Sequence, residues 1–146
     1  MVNTMHPSLD RLKHLLLRQE IIIGKLSPSD RQIMLTAAAL AIPKDATHTE
    51  REVTERLQRW VTTVGSNLRD DAVELRRYLV DCRCLQRDPA GRAYTRVGHW
   101  PTGWSEIAAE LEPLDIAQFA DQVRIEEADR RAARKKAALE KKDGGA

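Results

Sequence analysis

Residues 70–97 read DDAVELRRYLVDCRCLQRDPAGRAYTRV, and this stretch decides the fold that the sequence predicts. Asp70 or Asp71 can cap a helix, and Asp71 and Glu74 have the spacing of a capping box. Apolar side chains follow at helical spacing on one face, with Tyr78 at its edge. Those residues are Ala72, Leu75, Leu79 and Cys82. The stretch therefore begins with an amphipathic helix.

A hairpin is predicted directly after this helix. Cys84 and Leu85 begin a short strand, and residues 88–91, Asp-Pro-Ala-Gly, are typical of a turn. Residues 93–97, AYTRV, have the alternation and the β-rich composition of a return strand. A helix followed by a two-stranded wing forms the second half of a winged helix-turn-helix.

Three helices are predicted upstream. The first runs from Pro7 to Ile23, with Ser8 as N-cap and Gly24 as a candidate C-cap, although the β-branched run at 21–23 could form a strand instead. Ser27 caps the second, which stops before Pro43, and residues 44–48 form a loop. Thr49 caps the third, with Glu52 as its capping-box partner. Its buried stripe contains Val53, Leu57, Trp60 and Val61.

The composition changes after residue 97. Residues 98–104 are irregular, Ser105 can cap a short helix, and a long helix is predicted from Leu114 to Lys142. The predicted fold is therefore mainly α with a small β-hairpin, a winged helix-turn-helix with an added N-terminal helix and a long C-terminal helix. It divides into an N-terminal helix (1–26), a winged-helix-like domain (27–97) and an aromatic linker with a helical tail (98–146).

The decisive stretch also resembles a known family. LRRYLVD at 75–81, the Leu-x-Arg at 85–87, the Gly turn and the Tyr-x-Arg-Val at 94–97 are similar to an uncharacterised bacterial domain family. Its members occur alone or fused behind ArsR-type transcriptional regulators. The similarity also includes Gly24-Lys25-Leu26 and residues 49–53. Arg83 replaces a usual glycine, and Thr54 replaces a usual asparagine. The resemblance implies a winged-helix-like fold and DNA binding or regulation, and it implies no reaction.

The composition indicates a soluble helical protein. Of the 146 residues, 42% are hydrophobic and 32% charged, while aromatics make up only 4%. No apolar run approaches the roughly 20 residues of a transmembrane helix, and the N-terminus has no signal-peptide pattern. We therefore expect a cytoplasmic protein without a membrane partner. Cys82 and Cys84 are predicted to be a core residue and a strand residue.

The charge distribution is more informative than the net charge of +2. Residues 1–97 hold 16 basic and 12 acidic side chains, a net of +4. Residues 98–129 hold one basic and eight acidic ones, a net of −7, and residues 130–146 hold seven and two, a net of +5. The tail therefore switches sharply from acidic to basic.

DNA binding is the first functional hypothesis. The recognition helix of a winged helix enters the major groove and the wing reaches phosphate or the minor groove. The candidate contacts are arginines on both elements, Arg69, Arg76, Arg77, Arg87, Arg92 and Arg96. The alternative is that they pair with the nearby acids Asp70, Asp71, Glu74, Asp81 and Asp88. Such pairing would leave a neutral surface.

Protein association is the second hypothesis. Trp100, Trp104 and Phe119 lie outside the motif and would pack on the domain, on a second copy or on another protein. The tail could fold over the first helix or pair antiparallel in a homodimer, and its basic end could touch nucleic acid. The sequence contains no catalytic signature, phosphate-binding loop or metal-ligand spacing. We therefore expect a dimeric transcriptional regulator that binds double-stranded DNA, with no enzyme activity, cofactor or metal. An interaction module that binds no nucleic acid is the alternative.

Overall fold

The computed structural model describes residues 6–144, which form mostly helices with one small antiparallel sheet. The helices are α1 (Pro7–Leu16), α2 (Pro28–Ala39), α3 (Glu50–Thr63), α4 (Ala72–Asp81), α5 (Ser105–Leu111) and α6 (Ile116–Gly144). The strands are β1 (Thr47–Thr49), β2 (Leu85–Arg87) and β3 (Ala93–Arg96). The mainly α class, the hairpin and the long C-terminal helix are confirmed.

The predicted N-caps of α2, α3 and α4 are also confirmed, although among the described residues Glu52 does not return the capping-box bond predicted for α3. Ser27 Oγ accepts a hydrogen bond from the Asp30 amide at 3.2 Å, and Thr49 Oγ1 accepts one from the Glu52 amide at 3.1 Å. Asp71 Oδ1 accepts the Glu74 amide at 2.8 Å while Glu74 Oε1 accepts the Asp71 amide at 3.3 Å, which completes the capping box. Side-chain caps satisfy amides that have no partner within the helix.

The first helix differs from its prediction at both ends. It starts at Pro7 without a side-chain cap, so Ser8 is not the N-cap, and it stops at Leu16. The isoleucine run leaves the helix because Ile21 pairs with the segment before α4: its amide donates to the Asn67 carbonyl at 2.8 Å, and its carbonyl accepts from the Arg69 amide at 2.8 Å. Only Ile21 forms a single parallel bridge, to Leu68, and Ile23 begins a 3-10 turn, so the run forms neither the predicted helix nor a full strand.

One turn residue and one predicted loop take roles other than those predicted. Gly24 lies in a 3-10 turn (Ile23–Lys25) and does not cap α1. A Cβ at this position would lie 3.0 Å from the Tyr78 hydroxyl, so close packing of α4 favours glycine here. The segment predicted as a loop at 44–48 contains the start of β1, which pairs with β3 and gives the strand order β1-β3-β2. A strand of three residues has too short a pattern to recognise.

One hydrophobic core contains residues from all three predicted segments. Leu12 and Leu15 of α1, Leu79 of α4 and Leu111 of α5 are completely buried, and Trp104 is only 8% exposed. The burial predicted for Leu79 is therefore confirmed. Since α1 packs against α2, α5 and α6, the N-terminal helix and the start of the tail cover the central helices.

The first part of α6 packs against the core, and its second part projects into solvent. Ala120 and Val123 are buried, whereas every residue from 128 to 143 is exposed. The sequence has few apolar residues after Ile125, which predicts that Arg131, Lys135 and Lys136 are exposed, and the structure confirms this exposure.

Candidate nucleic-acid interface

A groove of about 780 Å³ separates α4 from the β2–β3 hairpin. Its basic lining consists of Arg76 and Arg77 on α4, Arg83 after α4 and Arg87 on β2. Apolar lining comes from Val80, Leu85, Pro89, Tyr94 and Val97. The groove is therefore bounded by the predicted recognition helix on one side and by the predicted wing on the other.

The hairpin turn gives Arg92 a defined position. Asp88 Oδ1 accepts the amides of Arg92 at 2.7 Å and of Ala93 at 3.2 Å, and Gly91 has a φ of +70°. Glycine adopts that left-handed conformation without steric cost. Arg87 and Arg92 are exposed on β2 and at the turn. Arg77 is exposed on the face of α4 opposite Leu75 and Leu79.

Arg83 also lines the groove, and the sequence did not identify it as a site residue. The Cys84 amide donates to the Leu79 carbonyl at 2.9 Å and the Arg83 amide donates to the Val80 carbonyl at 3.1 Å. These bonds form a Schellman motif, whose left-handed position usually holds glycine. Arg83 occupies that position with a φ of +67°. A non-glycine residue there costs about 1–3 kcal/mol. The sequence did contain one signal for this site: Arg83 stands where the family that the sequence resembles usually has glycine.

Arg76 turns inward. Its side chain is only 15% exposed, Nη2 lies 3.2 Å from Glu50 Oε1, and Nη1 donates to the Thr54 hydroxyl. Its guanidinium also stands 5.8 Å from the centre of the Tyr94 ring. Arg76 therefore ties α4 to α3 and to the sheet, and its charge is compensated within the chain.

Two further predicted arginines lie away from the groove. Arg69 Nη1 lies 3.3 Å from Glu20 Oε1 in an exposed ion pair. Arg96 is buried at the end of β3 and stands over the Trp100 ring at 5.6 Å. The structure thus gathers Arg77, Arg83 and Arg87 along the groove with Arg92 at the adjoining turn.

The nearby acids mostly bind backbone amides instead of these arginines. Asp70 Oδ2 accepts the Ile23 amide at 2.9 Å, while Asp71 and Glu74 form the capping box and Asp88 holds the turn. Asp81 lines the groove. Within residues 6–144, none of these acids forms an ion pair with Arg77, Arg83, Arg87 or Arg92. The neutralising pairs that the alternative hypothesis requires do not form there.

The two cysteines lie beside the groove as free thiols with their Sγ atoms 3.3 Å apart. Their mutual hydrogen bond, and then burial, raise the pKa of the Cys84 thiol well above its ordinary value. Cys84 is thus a neutral core residue, whereas the sequence predicted Cys82 as the core residue and Cys84 as a strand residue; Cys82 is only partly buried, and β2 begins after Cys84, at Leu85. In the part of the chain that the structure describes, no three His, Cys, Asp or Glu side chains gather as metal ligands, and no helix is long and apolar enough to cross a membrane.

Each aromatic residue predicted at an interface packs against its own chain. Trp104 is buried, and Trp100 and Phe119 are partly buried against the core. Arg124 of α6 further anchors this region through the carbonyls of Leu16, Thr63 and Val64. The arrangement corresponds to the intramolecular alternative for the tail.

Comparison with known families gives one match. Residues 25–96 match the model of a family described as "Uncharacterized protein conserved in bacteria (DUF2087)". No curated protein and no solved structure matches the chain. The matched segment runs from the turn before α2 to the end of β3 and contains the groove, so over these residues the protein is similar to an uncharacterised bacterial family.

Proposed function

We propose that residues 27–97 form a winged helix-turn-helix that binds double-stranded DNA, with α4 as recognition helix and the β2–β3 hairpin as wing. The order of elements supports this assignment: α2, β1, α3, α4, β2 and β3 follow one another, and β1 pairs with β3 to close a three-stranded sheet. In such a motif the second helix presents its exposed face to the major groove.

The observation that carries the proposal is the set of four arginines without ion-pair partners among residues 6–144. Arg77, Arg83, Arg87 and Arg92 occupy the helix, its C-terminal turn and the hairpin. Guanidinium groups bind phosphates and guanine edges with two parallel hydrogen bonds. In this proposal Arg77 would contact the major groove, while Arg87 and Arg92 would contact phosphate or the minor groove.

Arg83 allows binding to be separated from stability. Arg83→Gly removes a charge from the groove and also relieves a left-handed backbone conformation, so this variant should melt at a higher temperature and bind DNA more weakly. Arg77→Ala and Arg92→Ala should also weaken binding. Each lost phosphate contact should reduce the slope of log affinity against log salt by about 1.

The test is fluorescence anisotropy on mixed genomic duplex at low salt, with Arg69→Ala as the matched control. Arg69 is already paired with Glu20, so its loss should have a smaller effect than the loss of Arg77. Circular dichroism melts verify that each variant is folded. No binding by the full chain at low salt would refute the proposal, as would groove variants that bind as tightly as the unmodified chain.

An interaction module is the second candidate, and the projecting half of α6 favours it. This segment exposes Leu139 at 55% beside a row of basic side chains. It offers a partner helix a long surface that its own chain does not cover. A full chain that binds no DNA but shifts in size on mixing with a defined protein partner would support this alternative.

A further inference from the structure

A second cavity, of about 580 Å³, lies where α2, α3 and the link between α5 and α6 meet. It shares no lining residue with the groove beside α4. Its apolar walls come from Leu40, Trp60, Leu111, Leu114 and Ile116. Its volume lies within the range of about 300–1,000 Å³ that is typical of small-molecule sites.

Arg96 is the unusual residue of this cavity. It follows Tyr94 on the inner face of β3 and is only 8% exposed. Its guanidinium stands 5.6 Å from the centre of the Trp100 ring, and within residues 6–144 its side chain has no ion-pair or hydrogen-bond partner. Arginine does not lose its proton in proteins, so Arg96 keeps its positive charge, and among residues 6–144 only the Trp100 ring contacts its guanidinium as a partner. Arg96 therefore presents an unused anion-binding group to an apolar cavity.

A second donor among the lining residues also lacks an acceptor. The Trp60 indole Nε1 is buried without a hydrogen-bond partner among the described residues. Arg56 and Arg59 add positive charge from α3. The two lining acids are engaged elsewhere: Glu112 lies 3.8 Å from Lys44 Nζ, and Asp115 Oδ1 accepts the Gln118 amide at 3.1 Å. The lining side chains thus carry three arginines (Arg56, Arg59 and Arg96) against two carboxylates (Glu112 and Asp115), a net charge of +1.

We propose that this cavity binds a small amphipathic carboxylate. The apolar body would lie against Leu40, Leu111 and Ile116, and the carboxylate would form paired hydrogen bonds with the Arg96 guanidinium. A neutral ligand of the same shape would leave the buried cation uncompensated. The proposal does not depend on DNA binding, because it concerns a separate cavity.

Calorimetric titration of the full chain without DNA tests the proposal, using octanoate and indole-3-acetate as probes. The neutral alcohols 1-octanol and tryptophol are the matched controls. At least one carboxylate should bind about tenfold or more tightly than its alcohol, since a hydrogen bond to a charged group is worth about 1.5–3 kcal/mol. Arg96→Gln should weaken carboxylate binding by a similar factor.

Two further variants distinguish the site from a general effect on folding. Ala41→Phe should fill the cavity from its apolar wall without removing a charge, and it should abolish binding in a folded protein. Arg92→Gln lies at the hairpin turn and should bind the probes like the unmodified chain. The proposal is overturned if neither carboxylate binds, if the alcohols bind equally well, or if folded Ala41→Phe retains binding.

Discussion

The buried carboxylate of Asp30 illustrates how single residues join the helices. Arg11 Nε and Nη2 donate to its two oxygens at 2.6 and 2.7 Å, and Arg18 lies 3.7 Å away. The hydrogen bond from Arg11 holds the pKa of Asp30 below its ordinary value, against the opposing effect of burial. This bidentate pair fixes α1 against the start of α2.

The first prediction concerns the pH dependence of that pair. A carboxylate with a lowered pKa in the folded state stabilises the fold above its unfolded pKa of about 3.9, and the stabilisation is lost as the pH falls toward the folded pKa. Asp30→Asn should therefore lower the melting temperature most at neutral pH and progressively less below about pH 4. Thermal melts across pH 2–7 measure this. A constant difference across that range would contradict the assignment.

The second prediction concerns Leu79. Its side chain is completely buried, so Leu79→Ala should cost about 2–5 kcal/mol through lost burial and a residual cavity. Leu139→Ala is the matched control, because Leu139 is 55% exposed on the projecting part of α6. Denaturant unfolding of both variants makes the comparison. Equal stability of the two would show that α4 does not face the core in this way.

At the scale of elements, Arg124 joins α6 to the ends of two other helices. Its Nη1 and Nη2 donate to the carbonyls of Thr63 at 2.8 Å and Val64 at 2.7 Å, and its Nε donates to the Leu16 carbonyl at 3.3 Å. Carbonyls at helix C-termini lack partners within the helix, and a cation there also suits the helix dipole. Desolvation of the guanidinium lowers the pKa of Arg124. The Arg124 side chain thus links the C-terminal ends of α1 and α3.

The third prediction follows from these bonds. Arg124→Met should destabilise the protein by about 1.5–3 kcal/mol, because it removes charge-assisted hydrogen bonds to partly buried carbonyls. Arg131→Met provides the control, since Arg131 is exposed and, among residues 6–144, bonds only Glu127 on its own helix. Denaturant titration of both variants tests the difference. A neutral result for Arg124→Met would mean that water replaces the guanidinium at no cost.

At the scale of the whole molecule, the tail should behave as two parts. Truncation after Ala128 removes a segment in which residues 129–143 are all exposed, so it should leave the melting temperature nearly unchanged. Truncation after Val97 removes Trp104, Leu111 and Ala120 from the core and should clearly lower the melting temperature. Thermal melts compare the two proteins with the full chain. If the shorter chain melts like the full one, the packing of α5 and α6 contributes nothing to stability.

The homodimer stays a prediction. Trp104 is buried and Trp100 and Phe119 are partly buried within one chain, so these aromatics do not require a second copy. The remaining reason to expect a dimer is the charge of the tail, which has a segment of net −7 followed by one of net +5. Two such tails could pair antiparallel. Light scattering should show a dimer for the full chain. The affinity between the two chains should fall as added salt screens the charges. A monomer at all salt concentrations would contradict it.

Local chemistry determined much of this protein. The caps at Ser27, Thr49 and Asp71 and the turn at 88–91 each depend on residues a few positions apart, so they could be predicted from the sequence. The burial of Leu79 and the exposure of the basic tail followed from helical periodicity and from the loss of apolar residues after Ile125. Arg77, Arg87 and Arg92, three of the arginines that the sequence named as candidate contacts, are exposed in the structure.

Long-range pairing decided the rest. The end of α1 depends on hydrogen bonds between Ile21 and the segment before α4, and β1 exists only because β3 lies beside it. Arg76 and Arg96 carry the same charge as Arg77, but α3, the sheet and Trp100 enclose them. An arginine side chain is long and flexible enough to reach either solvent or a neighbouring element. Only the tertiary packing therefore decided that Arg77 stays exposed on the groove while Arg76 and Arg96 are enclosed.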